Sequence, residues 1–94
     1  MSFVPHHNRH ALHGITVVLE TDGTTTFVGR LDTADDRGIW LKDVGVHDAS
    51  VGGLSKADYL RQTIRYGIRK DQEAVLVENQ RVLSLQPLRE LSLD

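Results

Sequence analysis

The sequence predicts a mainly β domain: five antiparallel strands, strongly bent into a small barrel, with one helix inserted between the third and fourth. Three observations carry this expectation. The runs Val17-Val18-Leu19-Glu20-Thr21-Asp22-Gly23, Phe27-Val28-Gly29-Arg30-Leu31 and Ile39-Trp40-Leu41-Lys42-Asp43-Val44 read as successive strands joined by tight turns. A second β-rich stretch, Ala74-Val75-Leu76-Val77-Glu78-Asn79-Gln80-Arg81-Val82-Leu83-Ser84-Leu85, supplies two more strands. Between them, residues 54–66 combine helical spacing with capping signals.

Residues 1–14 are polar and histidine-rich, with Pro5 early and Gly14 at the end, and read as a flexible segment ahead of the barrel domain at 15–87. Ile15 to Thr21 is β-branched and aliphatic, which favours a strand. Asp22-Gly23 is a two-residue hairpin signal, since Gly accepts positive φ. Gly29 inside the second strand implies a bend or a close backbone approach. Residues 33–38 turn the chain, with Gly38 as the left-handed residue. In the third strand Ile39 and Leu41 face one way and Trp40 and Lys42 the other, and residues 45–53 read as a loop.

In the helix, Ser55 is the expected N-cap, Asp58 takes the capping-box position, and Leu54 with Tyr59 forms a hydrophobic staple. Ala57, Leu60 and Ile64 make the apolar stripe, and Gly67 is placed to end the helix. A strand over 60–68 is the competing assignment, because Leu60, Ile64, Tyr66 and Ile68 share a period-two face that Gln62 interrupts. The last two strands, at 74–77 and 82–85, flank a short turn with Asn79 suited to positive φ. Pro87 ends the final strand, and residues 88–94 form a tail.

Composition narrows the functional classes. A net charge of −2 with 26% charged residues gives no global basic field for nucleic acid, so an anion site would be a local patch. The absence of cysteine excludes disulfides, thiolate metal sites and cysteine nucleophiles. No apolar run approaches membrane-spanning length and the N-terminus lacks a signal-peptide core, so the expectation is a cytoplasmic protein with no membrane partner. A chain of 94 residues gains stability by burying further surface in an oligomer.

The strand pattern resembles the Sm-like family, which includes LSm proteins and bacterial Hfq. That family's first motif runs hydrophobic–x–Leu–x–x–Gly, then Gly–x–Leu–x–x–x–Asp, then hydrophobic–Asn–hydrophobic. Leu19, Gly23, Gly29, Leu31 and Asp35 match it in order, with one extra residue between the glycines, and Trp40 stands where the family usually has Asn. The second motif is matched by Val75-Leu76-Val77, Val82 and Leu85, with Glu78-Asn79 replacing its Arg-Gly pair. The resemblance covers about two-thirds of the chain and extends in part to other SH3-like barrels. It implies a non-catalytic homo-oligomeric ring, in which the fourth strand of one subunit pairs with the fifth of its neighbour, and single-stranded RNA as partner. It also implies that the pore-lining Asn and Arg that hold a uracil in the family are absent here, and Glu78 puts a carboxylate where phosphates would lie.

The candidate nucleic-acid-binding residues are Arg37, Trp40, Arg61, Arg65, Asn79 and Arg81. Trp40 offers a π face for a base, or packs under the helix or in a subunit interface. Arg61, Arg65 and Arg69, four residues apart, make a basic stripe with Lys70 if the helix runs that far, but a solvated face balanced by Asp58 and Asp71 if it does not. Asn79 suits a base edge and Arg81 a phosphate, although both are ordinary turn residues. His6, His10 and His13 are the candidate metal ligands, in a segment with no cysteine or carboxylate to complete a site; a solvent-exposed tail is the plainer account. No resident cofactor is expected. His47-Asp48 is an acid–base pair only if neighbouring side chains converge, and with no partnered nucleophile the chain reads as a non-enzyme. A scaffold ring without nucleic-acid affinity is the rival reading.

Overall fold

The computed structural model describes residues 12–92. Its strands are β1 (Thr16–Thr21), β2 (Thr25–Ala34), β3 (Gly38–Asp48), β4 (Gln72–Glu78) and β5 (Val82–Pro87). The helix α1 (Lys56–Tyr66) lies between β3 and β4, and single 3-10 turns cover Asn79–Arg81 and Leu88–Glu90. All pairings are antiparallel, and the sheet order β4-β3-β2-β1-β5 leaves β4 and β5 as its edges.

Three irregularities bend the sheet. Between Val28↔Gly45 and Arg30↔Lys42, β3 carries one extra residue, and Asp43 there has φ 53°. A Cβ at Gly29, opposite, would lie 3.1 Å from the Lys42 carbonyl oxygen, so the expected close approach is real. Between Leu31↔Leu41 and Thr33↔Trp40 the extra residue, Asp32, is on β2. Between Glu20↔Ser84 and Thr21↔Val82 it is Leu83 on β5, which is left 62% exposed. Each bulge increases the local twist, and together they curl the strands around one core.

That core takes residues from all five strands: Val17, Leu19, Phe27, Leu31, Ile39, Leu41, Val44, Val77, Val82 and Leu85. The opposite, outer face holds a thinner cluster in which Leu60 of α1 covers Val18 and Val28, with Tyr59, Ile68, Leu88 and Leu91 at its edge. The helix forms as its capping signals predict. Ser55 Oγ accepts from the Asp58 N–H at 3.1 Å, and Gly67, at φ 92°, returns its N–H to the Thr63 carbonyl. The strand alternative over 60–68 is therefore excluded.

Several local expectations are corrected. Residues 45–48, expected in a loop, belong to β3: Gly45 is not a breaker but the place where Tyr59 and the Arg69 backbone cross the strand, leaving no room for a Cβ. Gly38 is not left-handed; it is needed because a Cβ there would collide with the Val77 carbonyl. Gly23 has no positive φ either, since the Thr21 hydroxyl organises that turn by donating to Thr25 O at 2.7 Å and accepting from Gly23 N. Asn79 sits in a 3-10 turn, also without positive φ. The fourth and fifth strands extend to Gln72–Glu78 and Val82–Pro87, beyond the expected 74–77 and 82–85.

Candidate functional site at the strand turns

The β2–β3 turn and the β4–β5 turn are bound together. Asp35 Oδ1 accepts from the Arg37 N–H at 2.9 Å and the Gly38 N–H at 3.3 Å, which shapes the first turn. These bonds, chiefly that from Arg37 N–H, hold the Asp35 carboxyl below its usual range and keep it ionised. Asn79 then crosses from the second turn: its Nδ2 donates to the Asp35 and Asp36 carbonyls, each at 3.0 Å, and its N–H donates to the Arg37 carbonyl at 3.2 Å. At the other end of the 3-10 turn, Asp22 N–H donates to the Arg81 carbonyl at 2.9 Å, and Arg81 Nε lies 3.8 Å from Asp22 Oδ1. The β4–β5 turn thus bridges two others.

Of the sequence candidates, Arg37, Asn79 and Arg81 are brought into this cluster. Arg37 projects into solvent, with Nη2 3.3 Å from Asp35 Oδ2. Trp40 lies two residues along β3 from Gly38, half-buried between its pairing partners Thr33 and Leu76 and facing away from the barrel core as expected. It belongs to neither hydrophobic cluster among the described residues. Around the turns, the carboxylates Asp22, Asp35, Asp36 and Glu78 outnumber the cations Arg37 and Arg81. The local potential is therefore acidic.

Arg61 and Arg65 are elsewhere, on α1. Arg61 Nη1 pairs with Asp58 at 2.9 Å, and the Arg65 guanidinium stands 5.5 Å from the centre of the Tyr66 ring. Because Gly67 ends the helix, Arg69 leaves the stripe, and Lys70 turns to Glu73 at 2.9 Å. His6 and His10 lie outside the described residues; His13 is exposed. No group of three metal-binding side chains occurs among the described residues.

His47 and Asp48 do not form a dyad. The His47 ring is buried under α1, 5.0 Å from the Tyr59 ring, and its Nε2 lies 2.8 Å from the Leu54 carbonyl oxygen. A carbonyl only accepts, so Nε2 carries the proton. His47 Nδ1 and Tyr59 OH are buried without a hydrogen-bond partner among the described residues. Burial, aided by the negative charge of Asp71, raises the Tyr59 phenol above its ordinary value and keeps it neutral. Asp48 instead accepts from Ser50 Oγ, Ser50 N and Thr24 Oγ1 at 2.6, 2.9 and 2.7 Å. A hollow of about 470 Å³ between Ile15, Ile64 and Leu88-Arg89 involves none of the turn residues.

A bent five-stranded antiparallel barrel with a short 3-10 turn between its edge strands defines a class of small β-barrels. Within that class the fold is Sm-like. It is similar to a Pyrococcus abyssi Sm protein solved in complex with a uridine heptamer, with a TM-score of 0.62 and 17% identity over 89% of this chain and 97% of that one. It is also similar to a chain of the NatC complex bound to CoA, with a TM-score of 0.57 and 17% identity over 93% and 88% of the two chains. No protein-family model matches the chain, and no curated protein sequence matches it significantly.

Proposed function

We propose that the chain is a non-catalytic Sm-like subunit that assembles into a homo-oligomeric ring and presents its turn cluster to single-stranded RNA. The observation that carries this reading is the pair of open edges. The β4 and β5 strands flank the whole sheet, each with one neighbour only, and exposed edges of this length call for a partner. Pairing β4 of one subunit with β5 of the next satisfies both edges, covers the bulged Leu83, and repeats the turn cluster around an axis. Nucleic-acid affinity then comes from Trp40 as a stacking face and from Arg37, whose side chain is 76% exposed. The likeness to a uridine-bound Sm protein supports the same reading.

The acidic excess at the turns favours a second reading, a ring whose partners are proteins. The Asn79 amide is already committed to the Asp35 and Asp36 carbonyls, and both turn arginines have a carboxylate beside them. Native mass spectrometry of the untagged protein, purified without nuclease, decides between the two. A ring carrying heterogeneous mass that RNase removes is the expected result, with affinity for oligouridylate falling in Trp40→Ala and Arg37→Ala. A clean ring selects the scaffold, and a monomer sinks ring assembly itself.

A further inference from the structure

The insertion that carries α1 differs in charge and polarity from the rest of the surface. Among the described residues, seven of the ten lysines and arginines have a carboxylate partner at 2.8 to 3.8 Å: Arg30, Arg37, Lys42, Lys56, Arg61, Lys70 and Arg81. Arg65, Arg69 and Arg89 have no carboxylate partner among the described residues; Arg65 is in the last turn of α1, and Arg69 and Arg89 line hollows beside the helix. The large exposed hydrophobic residues gather there too. Val51, Leu54, Ile64 and Tyr66 all belong to the insertion, with Tyr66 75% exposed, whereas Leu83 alone lies elsewhere. A groove of about 240 Å³ runs between Leu54, Tyr59 and Tyr66 and is closed by Gly67 and Arg69. Arg65 is not in that lining, but its guanidinium stands 5.5 Å from the ring centre of Tyr66, which is.

We propose that this groove docks a short acidic segment of a protein partner, with one large apolar side chain of that segment seated between Leu54 and the two tyrosines. The volume admits one such side chain, and Arg69 in the lining, with Arg65 over the Tyr66 ring beside it, favours carboxylates next to that side chain. Tyrosine and arginine around an apolar seat is the composition of a binding hot spot. A nucleic-acid strand fits less well. It brings charge for the arginines but nothing aliphatic for Leu54, and one face of Tyr66 is already taken by Arg65. The groove is preorganised, since Ser55 and Gly67 fix both ends of α1 and Leu60 anchors it. It includes no residue of β4 or β5, so its occupation is independent of ring assembly and of RNA binding.

The test is a selection of phage-displayed random dodecapeptides on the full chain, followed by fluorescence anisotropy with the enriched peptide. The expected consensus is a Leu, Met or Phe flanked by Asp and Glu. Arg65→Glu and Arg69→Glu each weaken binding by about tenfold with unchanged circular dichroism. A peptide with its acids replaced by lysines recovers affinity for the double variant. A consensus without acidic residues, or full affinity in both charge-reversal variants, overturns the proposal. So does displacement of the peptide by oligouridylate whose own binding needs Arg65 and Arg69, because that result assigns the surface to nucleic acid.

Discussion

The inner face of the sheet gathers buried side chains from every strand into one cluster, whereas the outer hydrophobic cluster takes only Val18 and Val28 from the described strands, beneath Leu60. The two faces come from the same strands by simple alternation, so the difference lies in what covers them. Curvature closes the inner face on itself, bringing Leu19, Leu31, Ile39, Leu41 and Leu85 into one cluster with Leu12 and Ile15 packed against it. The outer face depends on an imported helix and on the 3-10 turn at Leu88–Glu90, and it is thin enough to leave Ile64 and Tyr66 in solvent. Stability therefore belongs to the inside, while the outside is the layer that can be removed, exchanged or used for recognition.

The sharpest way to break this comparison is Leu41→Ala, which opens a cavity at a fully buried position of β3, between β2 and β4. Urea denaturation is expected to report a loss of about 3 kcal/mol, with every probe of the barrel moving together. Leu60→Ala should cost less, about 2 kcal/mol, because the outer cluster can collapse around the gap. Hydrogen exchange separates the cases: amides of α1 lose protection in Leu60→Ala while those of β1 and β2 keep it. If both variants unfold the whole chain alike, the two layers are one cooperative unit. Ser55→Ala removes the cap bond to Asp58 N–H and is expected to cost about 1 kcal/mol, read as the same local loosening of α1.

The smallest expected effect is an acid-dependent one, at Asp48. The Ser50 hydroxyl, then the Ser50 N–H, then the Thr24 hydroxyl stabilise its carboxylate and lower its pKa from 3.8 to about 2. A group whose folded pKa is lowered stabilises the protein above its unfolded value and loses that contribution as pH falls through the folded one. Acid titration should therefore uncover a stability decrement between about pH 4 and pH 2, which Asp48→Asn removes. An unchanged acid limb in that variant would show that the pinned turn contributes nothing to the pH dependence.

Much of the barrel was legible because alternation and capping are local. Ile39 and Leu41 against Trp40 and Lys42, Ser55 before the helix and Gly67 after it need no knowledge of partners. The bulges were not legible, since an extra residue is defined only by the strand it is paired with. Nothing about Asp43 or Leu83 alone marks them. For the same reason Gly45 looked like the start of a loop, and Gly38 like a left-handed turn. Both are places where another segment passes too close for a Cβ, and that segment is distant in sequence. At the site, residue types pointed to Arg37, Asn79 and Arg81, but not to the carboxylates beside the two arginines or to the backbone carbonyls that hold Asn79. The groove on α1 was missed because its arginines are distinguished by the partners they lack.

The chain that returns from α1 is clamped beside the β3 bulge, whereas the outgoing chain is pinned at residues 49–51 and at Leu54 and open between them. Asp71 N–H donates to the Val44 carbonyl at 2.8 Å, and its Oδ2 accepts from Val46 N–H at 2.9 Å. One residue earlier, Lys70 reaches Asp43 in the bulge at 3.9 Å. On the outgoing side, Gly52 and Gly53 are exposed, and a Cβ added at either would meet nothing. The insertion is thus open at Gly52 and Gly53 on its way out and clamped at its return. Extra length between Val51 and Leu54 should be absorbed for little more than loop entropy. A single residue gained or lost between Gly67 and Asp71 would instead slide β4 by one position and turn Val75 and Val77 out of the barrel. Natural variation in the size of this insertion, and any engineered fusion placed within it, should fall on the outgoing side.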